Sequence, residues 1–480
     1  MGDVPLAFVS AGLTQPKKGG NAFASYNLYL NYGLLGLASM VARCGRTVSV
    51  HHGRFDLPED VCDRLTAAGM ARDDSPVFLS IPSVFALPWA ARFCRKLKQN
   101  NPDARIVAGG RWVMDEDGAW VRSKIPELDL CVYGTAEERI IDLLSPRNWP
   151  FIPYTDASPG KLSAARPAFP ALDYRLMPDY EDFHPSLEVS RGCGMGCSFC
   201  LEASVPLSDM RPAAEVVTAL RSYDDLYARG QFGTYFEASF FRPPSPWIID
   251  FCEAYAQAGL RCRWRCETRV DSLTPAGLSA LAGAGLKVVD LGLESASRIQ
   301  LQRMGKTHLP EVYLRRASAL LRECKASGVW AKVNVLLYAG ETHDTLRETL
   351  DWLSSHSQYI KGVSVNPLVV YGRSPSAQSY LTSLEEYGAT PVDHEALGRD
   401  GYAHMHLSPS IDYAASEALV GHISKMFMSD RDYYDLKYFC YFPRWMDYGH
   451  FSRIAAACAP DQLPFSTTGR EDSIYVGPAA

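Results

Sequence analysis

Three cysteines fall within eight residues, Cys193-Gly-Met-Gly-Cys197-Ser-Phe-Cys200. Thiolates are the usual ligands of iron–sulfur clusters, and a four-iron cubane held by three of them keeps one iron open. An open iron can chelate the amino and carboxylate groups of S-adenosylmethionine (SAM). An electron from the cluster then breaks the C–S bond and yields a 5′-deoxyadenosyl radical. Gly192, Gly194 and Gly196 interleave with the ligands, as expected of a backbone wrapped around a cluster and needing positive φ. Zinc and disulfides are the alternatives. A structural zinc needs a fourth ligand, and the next cysteine, Cys252, lies beyond a predicted helix and strand. Thirteen cysteines is an odd count and no signal-peptide pattern opens the sequence. Scattered unpaired thiols suit a reducing cytoplasm, which is the expected location.

These residues need a scaffold that holds them at one end. Over residues 1–145 strand and helix signals alternate, with strands predicted at Leu6–Ser10, Thr47–His52, Val77–Ile81, Ala104–Gly110 and Asp129–Gly134. Short apolar strands separated by helices imply an α/β fold, a parallel sheet covered on both faces. This Rossmann-like, doubly wound domain would bind ligands beyond its strand carboxyl ends. Eight prolines from Pro146 to Pro185 mark 146–185 as an extended linker.

A second alternation, over 186–370, predicts six strands with a helix in each gap: Leu187–Ser190, Thr234–Glu237, Cys262–Arg269, Lys287–Leu293, Trp330–Leu337 and Gly362–Asn366. Six strands fall short of a closed TIM barrel and make an open (β/α)6 partial barrel, with chemistry at the strand carboxyl ends. The cysteine loop directly follows the first of these strands. From 371 to 480 the pattern loosens into a mostly helical C-terminal subdomain rich in Tyr433, Tyr434, Tyr438, Phe439, Tyr441, Phe442, Trp445 and Tyr448. These aromatics either cap the barrel mouth or form that subdomain's core.

A net charge of −6 with no Lys/Arg-rich run argues against nucleic acid as a partner. No stretch approaches 18 uninterrupted apolar residues, so no membrane span is predicted.

The combination resembles the radical SAM enzymes that carry a cobalamin-binding-type N-terminal domain. In the first domain the likeness rests on Gly33-Leu-Leu-Gly-Leu-Ala-Ser-Met40 and Ile106-Val-Ala-Gly-Gly110. In the second it rests on the cysteine motif, Gly292-Leu-Glu294-Ser, Leu301-Gln-Arg-Met-Gly-Lys306 and Tyr338-Ala-Gly-Glu-Thr342. Three places depart from the family pattern. His51-His52 replace an acidic residue, Gly134-Thr-Ala-Glu137-Glu138 replaces Gly-Glu-Gly-Glu, and Phe236-Glu237-Ala238 replaces a pair of aspartates. The resemblance implies a [4Fe–4S] cluster and SAM as cofactors and leaves cobalamin open.

Within this reading Cys193, Cys197 and Cys200 ligate the cluster and Phe199 packs beside the adenine of SAM. Glu294, Glu267, Arg269 and Asn334 end or line barrel strands and are candidate SAM contacts. A glutamate closing an apolar strand is costly to bury unless paired, and an arginine can grip a carboxylate through both arms. Glu237, Asp209 and Tyr235 are candidate acid–base groups; Cys262 and Cys266 share a strand face and are read as structural. A similarity to the aminoglycoside (apramycin-type) diol dehydratase branch favours hydrogen abstraction from a small molecule followed by hydroxyl elimination. That reaction needs a flavodoxin- or ferredoxin-type electron donor and a separate reductase for its product. The alternative is a cobalamin-dependent radical SAM methyltransferase. More remote is an iron–sulfur redox sensor or electron-transfer protein, which would leave the barrel unexplained.

Overall fold

A computed structural model describes residues 4–15, 20–71, 75–113, 118–151, 169–227 and 232–469. The chain divides into two compact units, Met1–Gly19 with Phe23–Phe183, and Gly20–Ala22 with His184–Ala480.

In the first unit the strands are β1 (Leu6–Ser10), β2 (Val48–His52), β3 (Val77–Ser80), β4 (Ile106–Gly109) and β5 (Leu130–Cys131). The helices are α1 (Tyr32–Arg43), α2 (Pro58–Ala67), α3 (Leu87–Asn100), α4 (Ala119–Lys124) and α5 (Ile140–Leu143). All strand pairs are parallel, in the order β2-β1-β3-β4-β5. Every residue of β1 is buried, and Phe8 stacks on Phe78 of β3 at 4.6 Å, as a strand covered on both faces requires. Asn31 caps α1 by accepting from the Leu34 N–H. Its amide also donates to the hydroxyls of Ser10 at 3.0 Å and Ser80 at 2.9 Å. The order reverses between β1 and β3, so this polar bridge sits at the switch point where such sheets bind ligands.

Of the proline-rich segment, 152–168 lies outside the described residues. Residues of the described part pack in the first unit. Asp173 N–H donates to Ser39 Oγ at 2.9 Å, and Arg54 pairs with Asp179 at 2.5 Å and Asp182 at 3.1 Å.

In the second unit β6 (Ser186–Glu188), β7 (Gly233–Glu237), β8 (Arg263–Arg269), β9 (Leu286–Glu294), β10 (Trp330–Leu337) and β11 (Gly362–Pro367) form one sheet, all parallel and ordered as in the sequence. Between them run α6 (Ala213–Leu226), α7 (Ser245–Gln257), α8 (Pro275–Gly283), α9 (Arg298–Arg303), α10 (Pro310–Ala326) and α11 (His343–Ser355). The terminal strands β6 and β11 do not pair with each other, so the barrel is open. Alternation along each strand separates two faces. Leu187, Phe236, Trp264, Val289, Val333 and Val363 lie fully buried on the helix side, with Phe236 stacked on Trp264 at 4.3 Å. The other face is polar.

Beyond β11 a small antiparallel sheet, absent from the sequence expectation, joins β12 (Val369–Tyr371), β14 (Tyr402–His406) and β13 (Thr390–Pro391). It is accompanied by α12 (Pro375–Ser383), α13 (Ala396–Asp400), α14 (Tyr413–Met426), α15 (Asp430–Tyr438) and α16 (Tyr448–Ala457). Tyr433, Tyr434, Phe442, Phe451 and Phe465 pack on one another as a core. They do not cap the barrel mouth. Instead α15 docks on the opposite end, at the strand amino termini. Arg265 Nη1 donates to the Leu436 carbonyl at 2.6 Å, and Lys361 pairs with Asp432 and Asp435, both at 2.9 Å. A Cβ on Gly233 would run into the Phe439 carbonyl.

Candidate functional site

The cysteine loop leaves β6 at the carboxyl end of the sheet. Gly192, Gly194 and Gly196 take φ of 72°, 66° and 72°, the left-handed conformation expected of them. A Cβ on Gly192 would collide with the Pro206 carbonyl, because Cys193 N–H donates to the Val205 carbonyl at 2.9 Å and folds the loop back on itself. A second stretch clamps the loop: Ser198 N–H donates to the Met304 carbonyl at 3.0 Å, and the Ser198 hydroxyl meets Tyr338 at 2.9 Å.

The three thiols are unbridged, with Cys197 buried and Cys193 and Cys200 half-buried. Burial pushes the Cys193 and Cys200 thiols up. N–H donors already point at sulfur: Glu202 N–H at Cys200 Sγ, 3.4 Å, and Arg269 Nη1 at Cys197 Sγ, 3.5 Å. Such donors are what cluster-ligating sulfurs accept. Among the described residues no three His, Cys, Asp or Glu converge on a single-ion site; a cubane spreads its thiolates over different irons. The loop thus fits a [4Fe–4S] cluster.

Around it the strand ends hold a linked set of charges. Glu294 closes β9 with φ 67° at a register shift between β9 and β10. Positive φ is costly for a residue with a Cβ, and such strain concentrates at working sites. Its carboxylate accepts from Lys306 Nζ at 2.9 Å, and Gly292 leaves room for the pair, since a Cβ there would lie 2.7 Å from Glu294 Oε1. Lys306, within the stretch that clamps the loop, is the partner that strand-end reasoning missed. Its carbonyl accepts from Arg269 Nη2 at 2.7 Å. The expected grip of Arg269 on the SAM carboxylate meets a competitor: Nε and Nη2 are engaged by Asp271 at 3.0 and 3.2 Å. Phe199 packs edge-on against Tyr338 at 6.4 Å.

Deeper in the barrel lie Glu237, Glu267, Asn334 and Tyr235. Glu237 accepts from Ser186 Oγ at 2.8 Å, and Asn334 donates to Glu267 at 3.4 Å. Burial keeps the Tyr235 hydroxyl protonated. Asp209, by contrast, is exposed on the loop after the cysteines and shares no hydrogen bond or ion pair with Glu237 or Tyr235. Cys262 and Cys266 are fully buried away from the loop.

Burial, reinforced by neighbouring carboxylates, lifts Glu237 from 4.5 to about 8 and Glu267 to about 7. The folded state therefore binds more protons than the unfolded one between the ordinary carboxylate range and those values. This stabilisation is fully present below the ordinary value and is lost as pH rises through about 7 to about 8. The Glu237→Gln/Glu267→Gln protein is expected to lose less thermal stability than the parent between about pH 5 and about pH 8. Equal slopes would show that both carboxyls ionise normally.

Residues 187–353 match the radical SAM superfamily. No curated protein matches the sequence. Among solved structures, the radical SAM methyltransferase TsrM from Kitasatospora setae, with cobalamin and a [4Fe–4S] cluster bound, aligns with a TM-score of 0.60 at 16% identity, over 95% of this chain and 91% of that one. The cobalamin-dependent SAM radical enzyme OxsB, with aqua-cobalamin and SAM bound, aligns with a TM-score of 0.57 at 15% identity, over 94% of this chain and 66% of that one. At such identities the likeness is one of fold. The sequence match falls on the barrel strands and loop described above, and the chain therefore carries a radical SAM domain, the kind that works with a [4Fe–4S] cluster and SAM.

Proposed function

We propose that this protein is a cobalamin-dependent radical SAM methyltransferase acting on a small molecule. The observation that supports this most is the alignment of both units, over nearly the whole chain, with a methyltransferase that binds cobalamin and a [4Fe–4S] cluster. It favours methyl transfer over hydroxyl elimination, the reading drawn from the similarity to the diol dehydratase branch and from the departures from the family pattern. One of these, His51-His52, has a chemistry of its own. Burial lowers both imidazoles to about 4, so they are neutral, and His51 Nε2 and His52 Nδ1 are buried without a partner among the described residues. With Ser10, Asn31 and Ser80 they make an uncharged donor and acceptor set at the carboxyl end of the first sheet. That set suits an amide-fringed corrin better than a carboxylate would, and these residues would hold it.

When bound, the cluster and SAM supply a 5′-deoxyadenosyl radical and cobalamin a transferable methyl group. The chain's own residues do the rest. Cys193, Cys197 and Cys200 hold the cluster, while Glu294, Lys306 and Arg269 keep the loop and strand ends in register. The lumen binds the substrate, and the raised carboxyls of Glu237 and Glu267 can hold or release a proton there. An electron donor of the flavodoxin or ferredoxin type completes the requirement.

Anaerobically reconstituted protein is expected to retain added hydroxocobalamin through gel filtration and to give a product heavier than substrate by one methylene. A protein that takes up no cobalamin and yields a product lighter by one water would restore the dehydratase.

A further inference from the structure

The inner face of the barrel carries one row of side chains at a common register. Glu188 pairs with Glu237, and Glu267 with Asp290, which in turn pairs with Lys332. The neighbouring pair Phe236 and Cys266 sets Glu237 beside Glu267. Four carboxyls therefore stand on adjacent strands about 4.8 Å apart. Like charges so placed repel, unless something neutralises them.

Two of the four are neutralised. Glu188 takes both arms of Arg191, at 2.8 and 2.7 Å. Asp290 takes both arms of Arg265, at 2.6 and 2.7 Å, together with Lys332 at 3.1 Å. The two between them are not. Glu237 has a serine hydroxyl and Glu267 a side-chain amide, and neither has an ion pair among the described residues. Burial is the main cause of their raised values, about 8 and about 7, and the neighbouring carboxylates add to it.

The pair also faces open space. Glu267 lies deep among protein atoms, which is what raises it, yet it keeps accessible surface, although its strand neighbours Trp264, Cys266 and Thr268 are buried beneath the helices. Its accessible surface thus belongs to the lumen. Below, Arg265 is 1% exposed and lies over Tyr441 at 4.8 Å, closing the floor, so the lumen opens toward the cysteine loop. The ladder of β6 continues through Val189, whose N–H donates to the Glu237 carbonyl at 2.9 Å. Alternation then puts Ser190 on the lumen side with Glu188. Ser190 is 2% exposed, and its hydroxyl has no partner among the described residues. A buried, unpaired hydroxyl and two carboxyls without a cation are a set of acceptors waiting for donors.

We propose that Glu237 and Glu267 select the substrate by charge, taking a protonated amine of the substrate between them. This rests on the reading that the lumen below the cysteine loop holds the substrate. An ammonium brings three donors, and charge-assisted bonds to carboxylates are the strong ones. The ammonium of SAM is the competing occupant, and the test separates the two.

Holoenzyme carrying its cluster and SAM is titrated by calorimetry with putrescine, a four-carbon diamine, and with the four-carbon diol of the same length. Putrescine is expected to bind at least about tenfold more tightly, the worth of one charge-assisted bond. The Glu237→Gln/Glu267→Gln protein should lose that preference and keep its SAM affinity within about twofold. Each single variant, with melting temperatures checked, should lose part of it. Equal binding of the two probes, binding of neither, or an undiminished preference in the double variant overturns the proposal. So does a fall of about tenfold in SAM affinity, which would assign the pair to SAM. If cobalamin uptake and methyl transfer stand while the preference is missing, only this inference falls. If they fail, the methyltransferase reading falls whatever the titration shows.

Discussion

Replacing Cys197 by alanine is expected to abolish 5′-deoxyadenosine formation and to lower the iron bound after anaerobic reconstitution. Three thiolates are the minimum that leaves a cubane one open iron, so there is no spare ligand to take over. The nearest donor in hydrogen-bonding range of Cys197 Sγ is the Arg269 guanidinium at 3.5 Å, a cation that cannot ligate iron. Cys193→Ala and Cys200→Ala should behave alike. Cys262→Ala and Cys266→Ala should keep iron content and SAM cleavage, because both thiols are fully buried. The glycines of the loop keep their left-handed conformation in every variant, so loss of activity without unfolding is the expected signature. Iron content, the visible spectrum and deoxyadenosine yield measured together decide the matter. Wild-type turnover by the Cys197→Ala protein would remove the cluster assignment.

The second large effect is structural. Arg265 and Asp290 are almost wholly buried, with side-chain exposures of 1% and 3%. Asp290 is held well below the usual carboxylate range by Arg265 and Lys332 against the opposing cost of burial. Asp290→Asn leaves the guanidinium buried with a neutral partner, and removing one member of a buried pair typically costs about 3–5 kcal/mol. The loss should reach beyond the pair, since Arg265 also donates to the Leu436 carbonyl and so ties α15 to the barrel floor. Urea denaturation should show a lower midpoint for Asp290→Asn. Replacing both residues, as in Arg265→Met/Asp290→Leu, should recover much of the loss, because no fully buried charge is then left unpaired, and Lys332, 23% exposed, can reach water. A loss below about 1 kcal/mol for Asp290→Asn would show that the pair and its tie to α15 carry little of the stability.

The two alternations of strand and helix are legible because periodicity is local. Trp330–Leu337 and Leu6–Ser10 appear where the apolar pattern places them, and the other barrel strands fall within one to two residues of it. The strands β12 and β13 left no such trace. At three and two residues they hold too few alternations to show a period, and only pairing with β14 makes them strands. Asp209, a candidate acid–base group, is exposed, and the sequence carries no signal of which way a loop residue faces.

The cysteine spacing that supports a cluster, and the glycines interleaved with it, were determined by sequence alone. Their spacing is set within eight residues, and the φ angles follow from the absence of a Cβ. What only the tertiary structure decided are the features made by residues far apart along the chain. Lys306 meets Glu294 because a clamp stretch returns to the strand end. Arg265 reaches Leu436 across 171 positions. Four carboxyls share one row because the register of four parallel strands puts them there. A sequence states which strands alternate polar and apolar. A shift of one residue in register would send every inward side chain to the other face, and it is packing against the helices that selects the register and so sets Glu237 beside Glu267.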